Sequence, residues 1–185
     1  PFEVQELHYR EEEEKVAYVK RVNVDYFTDA ISAKGVWVLR RLAERASPGL
    51  LAEQGELLVA EKVVGFKKIK FGSLENVGSG EVELPQQEMQ TTGSWLSVDP
   101  TLLAEISPNR EELVGGLRGL TYLLHHLAPV FLLCDIRDLG SWLGDRAPAE
   151  PSEVATVQST RSRLLEAAEF TPTKYLYDSH PGGIG

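Results

Sequence analysis

Six side chains in the C-terminal third carry groups from which a hydrolytic metal centre can be built: His125, His126, Asp135, Asp138, Asp178 and His180. Imidazoles and carboxylates together hold a divalent cation and activate its bound water. His126, Asp135 and Asp178 would be the set for a small metal-dependent hydrolase. The spacing argues against it. Neighbouring helical residues point about 100° apart, so His125 and His126 cannot both face one ion, and no HExxH pattern is present. One packed and one exposed histidine is the plainer expectation, with no metal ligand, catalytic residue or cofactor site in the chain.

Other groups point to binding or structure. In "CDIRDLG", Arg137 lies between Asp135 and Asp138, a pattern suited to a buried or half-buried guanidinium and carboxylate network that anchors a loop. Nothing nearby supplies a nucleophile. Cys134 sits in an apolar run and reads as an inert core thiol. Lys67, Lys68 and Lys70 cluster in "FKKIK"; they either track phosphates or form a solvated face. On a regular strand, Lys68 and Lys70 would share one face. Trp95 and Trp142 are candidates for stacking on a base, with core packing expected for Trp95. The terminal glycines, including Gly182 and Gly183, match neither a Walker loop nor a dinucleotide fingerprint. They read as an elbow leading from a strand into a further element, as if the chain were a piece of something longer.

The composition bounds what can position these groups. The 185 residues, 42% of them hydrophobic, suffice for one core. A balance of 28 acidic to 19 basic residues, net −9, argues against broad capture of nucleic acid or anionic membrane. No apolar run approaches the roughly 20 residues of a membrane span, no secretory leader is present, and a single cysteine allows neither an internal disulfide nor a cysteine zinc cage. A cytoplasmic protein without a membrane partner is expected.

The first hundred residues alternate at period two and predict strands. These include "KVAYVKRVNVDYFT", a long strand in "LLVAEKVVGFKKIKF" with a bulge or close approach at Gly65, and short strands at 82–84 and 94–98. "GVWVLRRLAERA" suits either a strand or a helix, with a strand favoured at its start. Ser107 and Pro108 predict the cap and first turn of a helix, with Glu111 and Glu112 near its positive end. Leu113, Leu117, Leu120, Leu124 and Leu127 would be its buried stripe. Gly115 and Gly119 cost helix stability and predict a close-packed neighbour. Pro129 should kink or end the helix, with "VFLLCD" as a buried continuation. A second helix is expected from Ser152, carrying Val154, Val157, Leu164, Leu165 and Ala168 inward, before a final strand at Tyr175.

Five stretches in this order, "VDYFT" (24–28), "VVGFKKIKF" (63–71), "VELPQQEMQTTGSWL" (82–96), "HLAPVFLLCDIRDLG" (126–140) and "YLYDSHPGGIG" (175–185), carry a resemblance. The chain resembles the MrfA zinc-binding (MZB) accessory domain found C-terminal to the motor of superfamily-two DExH helicases of bacterial and fungal DNA repair. The resemblance implies a partner in the two motor lobes of an ATP-dependent 3′–5′ helicase, contact with single-stranded DNA, and zinc held by four cysteines beyond Gly185. Related domains in phage-defence proteins leave a protein-interaction scaffold as the rival reading. Here Leu124 stands before the histidines where many members carry Glu-His, and the stretch from Gly140 to Thr173 is longer than usual.

The expectation is therefore an α+β fold in a single domain over 1–185. A mostly antiparallel sheet from about 1–100 packs against a long helix, with a second helix and a final strand in 101–185. The chain lacks Walker A and DExH segments, so it is expected to be no enzyme by itself. Lys67, Lys68, Lys70 and Trp142 are the candidate DNA contacts; Asp135, Arg137, Asp138, Tyr177, Asp178, Gly182 and Gly183 form the structural motif.

Overall fold

The computed structural model describes residues 1–8, 16–82, 84–106, 109–146, 154–166 and 170–181. The sheet is mostly antiparallel, and the helices lie in the second half of the chain, interspersed with its last three strands. Two compact units are present, residues 1–31 with 64–83 and residues 32–63 with 84–185.

In the first unit, β1 (Phe2–His8) and β2 (Val16–Arg21) form an antiparallel hairpin with a bulge between Val4 and Glu6. Residues 22–25 leave the strand before β3 (Tyr26–Ser47) begins. β5 (Asn76–Glu81) pairs with the end of β4 (Leu50–Lys70), Gly65 facing Glu81. A Cβ on Gly65 would lie 2.8 Å from the Gly80 carbonyl oxygen, so the expected close approach is real. The bulge lies further on, between Lys68 and Ile69. The strand predicted at 82–84 is absent at Val82 and Leu84, and residue 83 lies outside the described residues.

The second unit orders its strands β7-β9-β6-β4-β3-β8. These add β6 (Gln87–Val98), β7 (Leu139–Asp145), β8 (Ala155–Thr156) and β9 (Pro172–Asp178). Register places Trp95 opposite both Glu53 and Tyr175, and Trp142 opposite Tyr175. Directly opposed residues share a face, and that face gathers Val36, Leu57, Val59, Trp95, Tyr175 and Tyr177 into the core. Tyr175 stacks on Trp95 at 6.1 Å and tilts against Trp142 at 5.5 Å. Each such side chain contributes about 2 kcal/mol on burial.

β3 remains extended through "LRRLAERAS", where the helical alternative would have begun. Those residues favour helix locally, but pairing with β4 prevails. Arg40 bonds Glu56, and Arg41 Nε lies 3.1 Å from Glu53. A two-residue turn at Pro48 and Gly49 joins the strands, with Gly49 at φ 71°. A Cβ there would meet the Leu102 side chain at 2.5 Å, so glycine is required twice over.

Leu102 belongs to α1 (Pro100–Ile106), a helix the sequence reading missed. Asp99 Oδ1 accepts the Thr101 amide at 2.8 Å, and Pro100 opens the first turn. Ser107 and Pro108 lie outside the described residues. α2 (Arg110–Leu132) is capped by Asn109, whose Oδ1 accepts from the Glu111 and Glu112 amides. Its buried residues are Val114 and Leu117, with Thr121, Leu124 and Ala128 half-buried; Leu120 and Leu127 are exposed. The stripe is thus turned by about a residue from the leucine series.

Pro129 does not end α2, and the apolar run after it is not buried. Three more helical residues precede Leu133, a left-handed cap whose amide donates to the Pro129 carbonyl. "VFLL" is exposed, Phe131 at 81% and Leu133 at 91%, and Cys134 is half-buried rather than a core thiol. Gly115, Gly116 and Gly119 face open space, so no neighbour among the described residues explains them. α3 (Val157–Glu166) starts later than expected, with Leu164 and Leu165 half-buried; Ser152 and Ala168 lie outside the described residues. Among the described residues no helix is long and apolar enough to cross a membrane.

Candidate functional site

The bulge after Lys68 interrupts the alternation that would place Lys68 and Lys70 on one face. The Lys68 ammonium lies over the Tyr26 ring at 5.1 Å, and Lys70 Nζ is 4.0 Å from Asp25. Lys67 is exposed and makes no ion pair among the described residues. The three lysines are near in sequence but occupy different environments.

After α2 the chain makes a 3₁₀ turn at Ile136–Asp138. Asp135 caps it and receives the Arg137 side chain, Nε at 3.0 Å and a terminal nitrogen at 2.9 Å. That guanidinium holds the Asp135 carboxyl below its ordinary range and raises the arginine in return. Asp138 closes the capping box by accepting the Asp135 amide. The end of β9 joins this turn. The Ser179 amide donates to the Asp138 carbonyl at 2.8 Å, and His180 Nε2 is 3.2 Å from Asp138 Oδ1. Asp178 accepts the His180 amide at its carboxylate and the Thr91 hydroxyl at its carbonyl.

Beneath this junction Tyr177 is buried, and burial pushes its phenol up. A Cβ on Gly140 would fall 2.0 Å from the Tyr177 ring, so the glycine of "RDLG" is a seat for that ring. Gly182 and Gly183 lie outside the described residues.

The candidate hydrolase set is not brought together. His126 bonds the Tyr122 carbonyl on the exposed side of α2, while His125 Nε2 contacts the Leu139 carbonyl at 2.9 Å. Asp135 is engaged by Arg137 and Asp178 by His180. Among the described residues no three His, Cys, Asp or Glu groups converge.

Sequence reasoning missed two features. The first is Glu53, buried on the core face of β4. It accepts Trp95 Nε1 at 2.8 Å and lies 3.1 Å from Arg41 and 3.4 Å from Arg146. Its odd-numbered register with Leu57 and Val59 was the available signal. The second is a cavity of about 480 Å³ lined by α2, α3, β7, β9, Glu61 of β4 and the stretch of β3 that pairs with β8. Lys34, Arg118, Arg161 and Lys174 reach it, as does half-buried Trp142. For Lys34, burial acts to lower the ammonium, but Tyr177 and Glu61 outweigh it and raise it. Lys174 has no such help, and burial pushes it down to about 8.

No family model matches this chain. It is 30% identical over 184 residues to the Uncharacterized ATP-dependent helicase YprA of Bacillus subtilis (strain 168), covering 100% of this chain and 21% of the relative. The crystal structure of the DUF1998 helicase MrfA bound to DNA matches with a TM-score of 0.66 and 30% identity, over 100% of this chain and 21% of that one. The chain therefore spans 21% of the length of these relatives and is homologous to a region of an ATP-dependent helicase.

Proposed function

From that homology, we propose that the chain is a non-catalytic accessory region of an ATP-dependent 3′–5′ DNA helicase acting in DNA repair, where it braces the motor lobes and contributes to the path of single-stranded DNA. The observation that carries this reading is the outer face of α2. Tyr122, Leu123 and Val130 are all more than half exposed on the face that carries the open positions Gly115 and Gly119, and Phe131 and Leu132 extend the exposed apolar surface at the helix end. A contiguous apolar helix face is a docking surface, and glycines let a neighbouring backbone approach closely. The occupant is the motor, because the matched relatives extend over nearly five times this length.

The test is ATP-dependent unwinding of a 3′-tailed duplex by the full-length helicase carrying Leu123→Asp and Phe131→Asp. Both side chains are exposed, so the region itself stays folded. Unwinding should be lost while its thermal transition stays in place. Unchanged unwinding would refute the docking role. The same face and the net charge of −9 also suit a scaffold that docks protein partners in a defence complex. Tight partner binding with no salt-dependent affinity for an oligonucleotide would select that second reading.

A further inference from the structure

We propose that the cavity between α2, α3 and the sheet binds the phosphate of a nucleotide, with Lys174, Arg118 and Arg161 as its cationic contacts. The inference goes beyond the helicase reading and rests on the cavity alone.

Four cations and one carboxylate line the space. Glu61 is already engaged, 3.4 Å from Lys34. Among the described residues the side chains of Lys174, Arg118 and Arg161 make no ion pair or hydrogen bond. Lys174 is only 7% exposed. A buried ammonium without a counter-charge is costly, and Lys174 has adapted by giving up its proton more readily. An anion in the cavity would supply the missing partner and raise its proton affinity again. Arginine contributes a planar fork suited to phosphate oxygens.

Size and wall chemistry extend the ligand beyond a bare ion. About 480 Å³ lies within the range of small-molecule sites. Trp142, Leu143, Val114 and Leu164 provide an apolar wall beside the charged one. Such a division suits a base or sugar on one side and a phosphate on the other. A free nucleotide and a nucleotide within a DNA strand offer the same chemistry.

Calorimetric titrations of the chain with deoxyadenosine monophosphate, deoxyadenosine, inorganic phosphate and an eight-residue oligothymidylate test the proposal. The expected result is binding of the mononucleotide, the oligonucleotide or both, with deoxyadenosine and inorganic phosphate weaker by about tenfold or more. Binding by the mononucleotide identifies a free-nucleotide site, and binding by the oligonucleotide alone identifies a strand site. Lys174→Met and, separately, Arg118→Gln should each weaken binding by about tenfold. Arg118 is exposed, so its variant reports on the site even if the buried change disturbs folding. No binding by either nucleotide ligand, phosphate binding as tightly as the nucleotides, or full affinity in the Arg118 variant would overturn the proposal.

Discussion

Replacing Lys174 by Met removes an ammonium from a buried position while keeping an unbranched stem of similar length. The lysine falls from an ordinary 10.5 to about 8 because burial disfavours its charged form. At about 1.4 kcal/mol per pH unit, that drop corresponds to about 3 kcal/mol of destabilisation at neutral pH. Solvent entering the cavity screens part of this, so Lys174→Met should stabilise the chain by about 1.5–2 kcal/mol at pH 7. The sign comes from linkage. Between pH 8 and 10.5 the unfolded chain keeps a proton that the folded chain has released, so native stability rises with pH across that window. Below about pH 8 the penalty is fully present, and above 10.5 it has gone. Urea unfolding of both proteins at about pH 7 and about pH 11 measures the difference. Tyr175 and Tyr177, raised by burial, contribute stability that is lost as alkaline pH rises through their folded values. They do so equally in both proteins and cancel. A gain at neutral pH that shrinks in the alkaline sample is expected. A variant less stable than the parent at neutral pH, or a gain independent of pH, would refute the burial argument.

Gly140→Ala should cost about 1–3 kcal/mol in thermal or urea unfolding, because the added methyl falls 2.0 Å from the Tyr177 ring. Glu53→Gln should cost about 2 kcal/mol, leaving Arg41 and Arg146 without their shared carboxylate, and should shift the fluorescence of Trp95, which bonds that carboxylate. Gly119→Ala should stabilise this chain by about 1 kcal/mol, since among the described residues nothing lies within 4 Å of the new methyl. In the full-length helicase the same change should weaken unwinding if a motor lobe packs on that stripe.

The sheet was legible where burial alternates along a strand. Leu57 and Val59 on β4, Trp95 on β6 and Tyr175 on β9 all belong to such patterns, and their register builds the core. The bonding of the turn at Asp135, Arg137 and Asp138 was legible because it is local, but its guanidinium is exposed rather than buried or half-buried, since no other element covers it. Long-range pairing was harder to read. "LRRLAERAS" has helical propensity and extends only because β4 lies beside it. The leucine series of α2 misplaced the buried face because that helix is apolar on two sides. Periodicity registers both stripes without distinguishing the one facing the sheet, at Val114 and Leu117, from the outer one at Tyr122, Leu123 and Val130. Ser107 and Pro108 stood for the start of α2, whose cap is the adjacent Asn109, while the short α1 opened by Asp99 and Pro100 gave too few turns for a periodic signal. The cavity cations come from four separate elements, and sequence proximity cannot assemble them.

Glu53 has a consequence for how the long hairpin finds its alignment. β3 and β4 have 22 and 21 residues, long enough for a slip by one position to preserve most of the ladder. Such a slip exchanges the two faces of a strand. It would separate the Glu53 carboxylate from Arg41 and take a core position from Leu57 or Val59. The misaligned pairing would give up the Glu53–Arg41 contact together with the burial of Leu57 and Val59, so this acid adds a charge-specific preference for the native alignment.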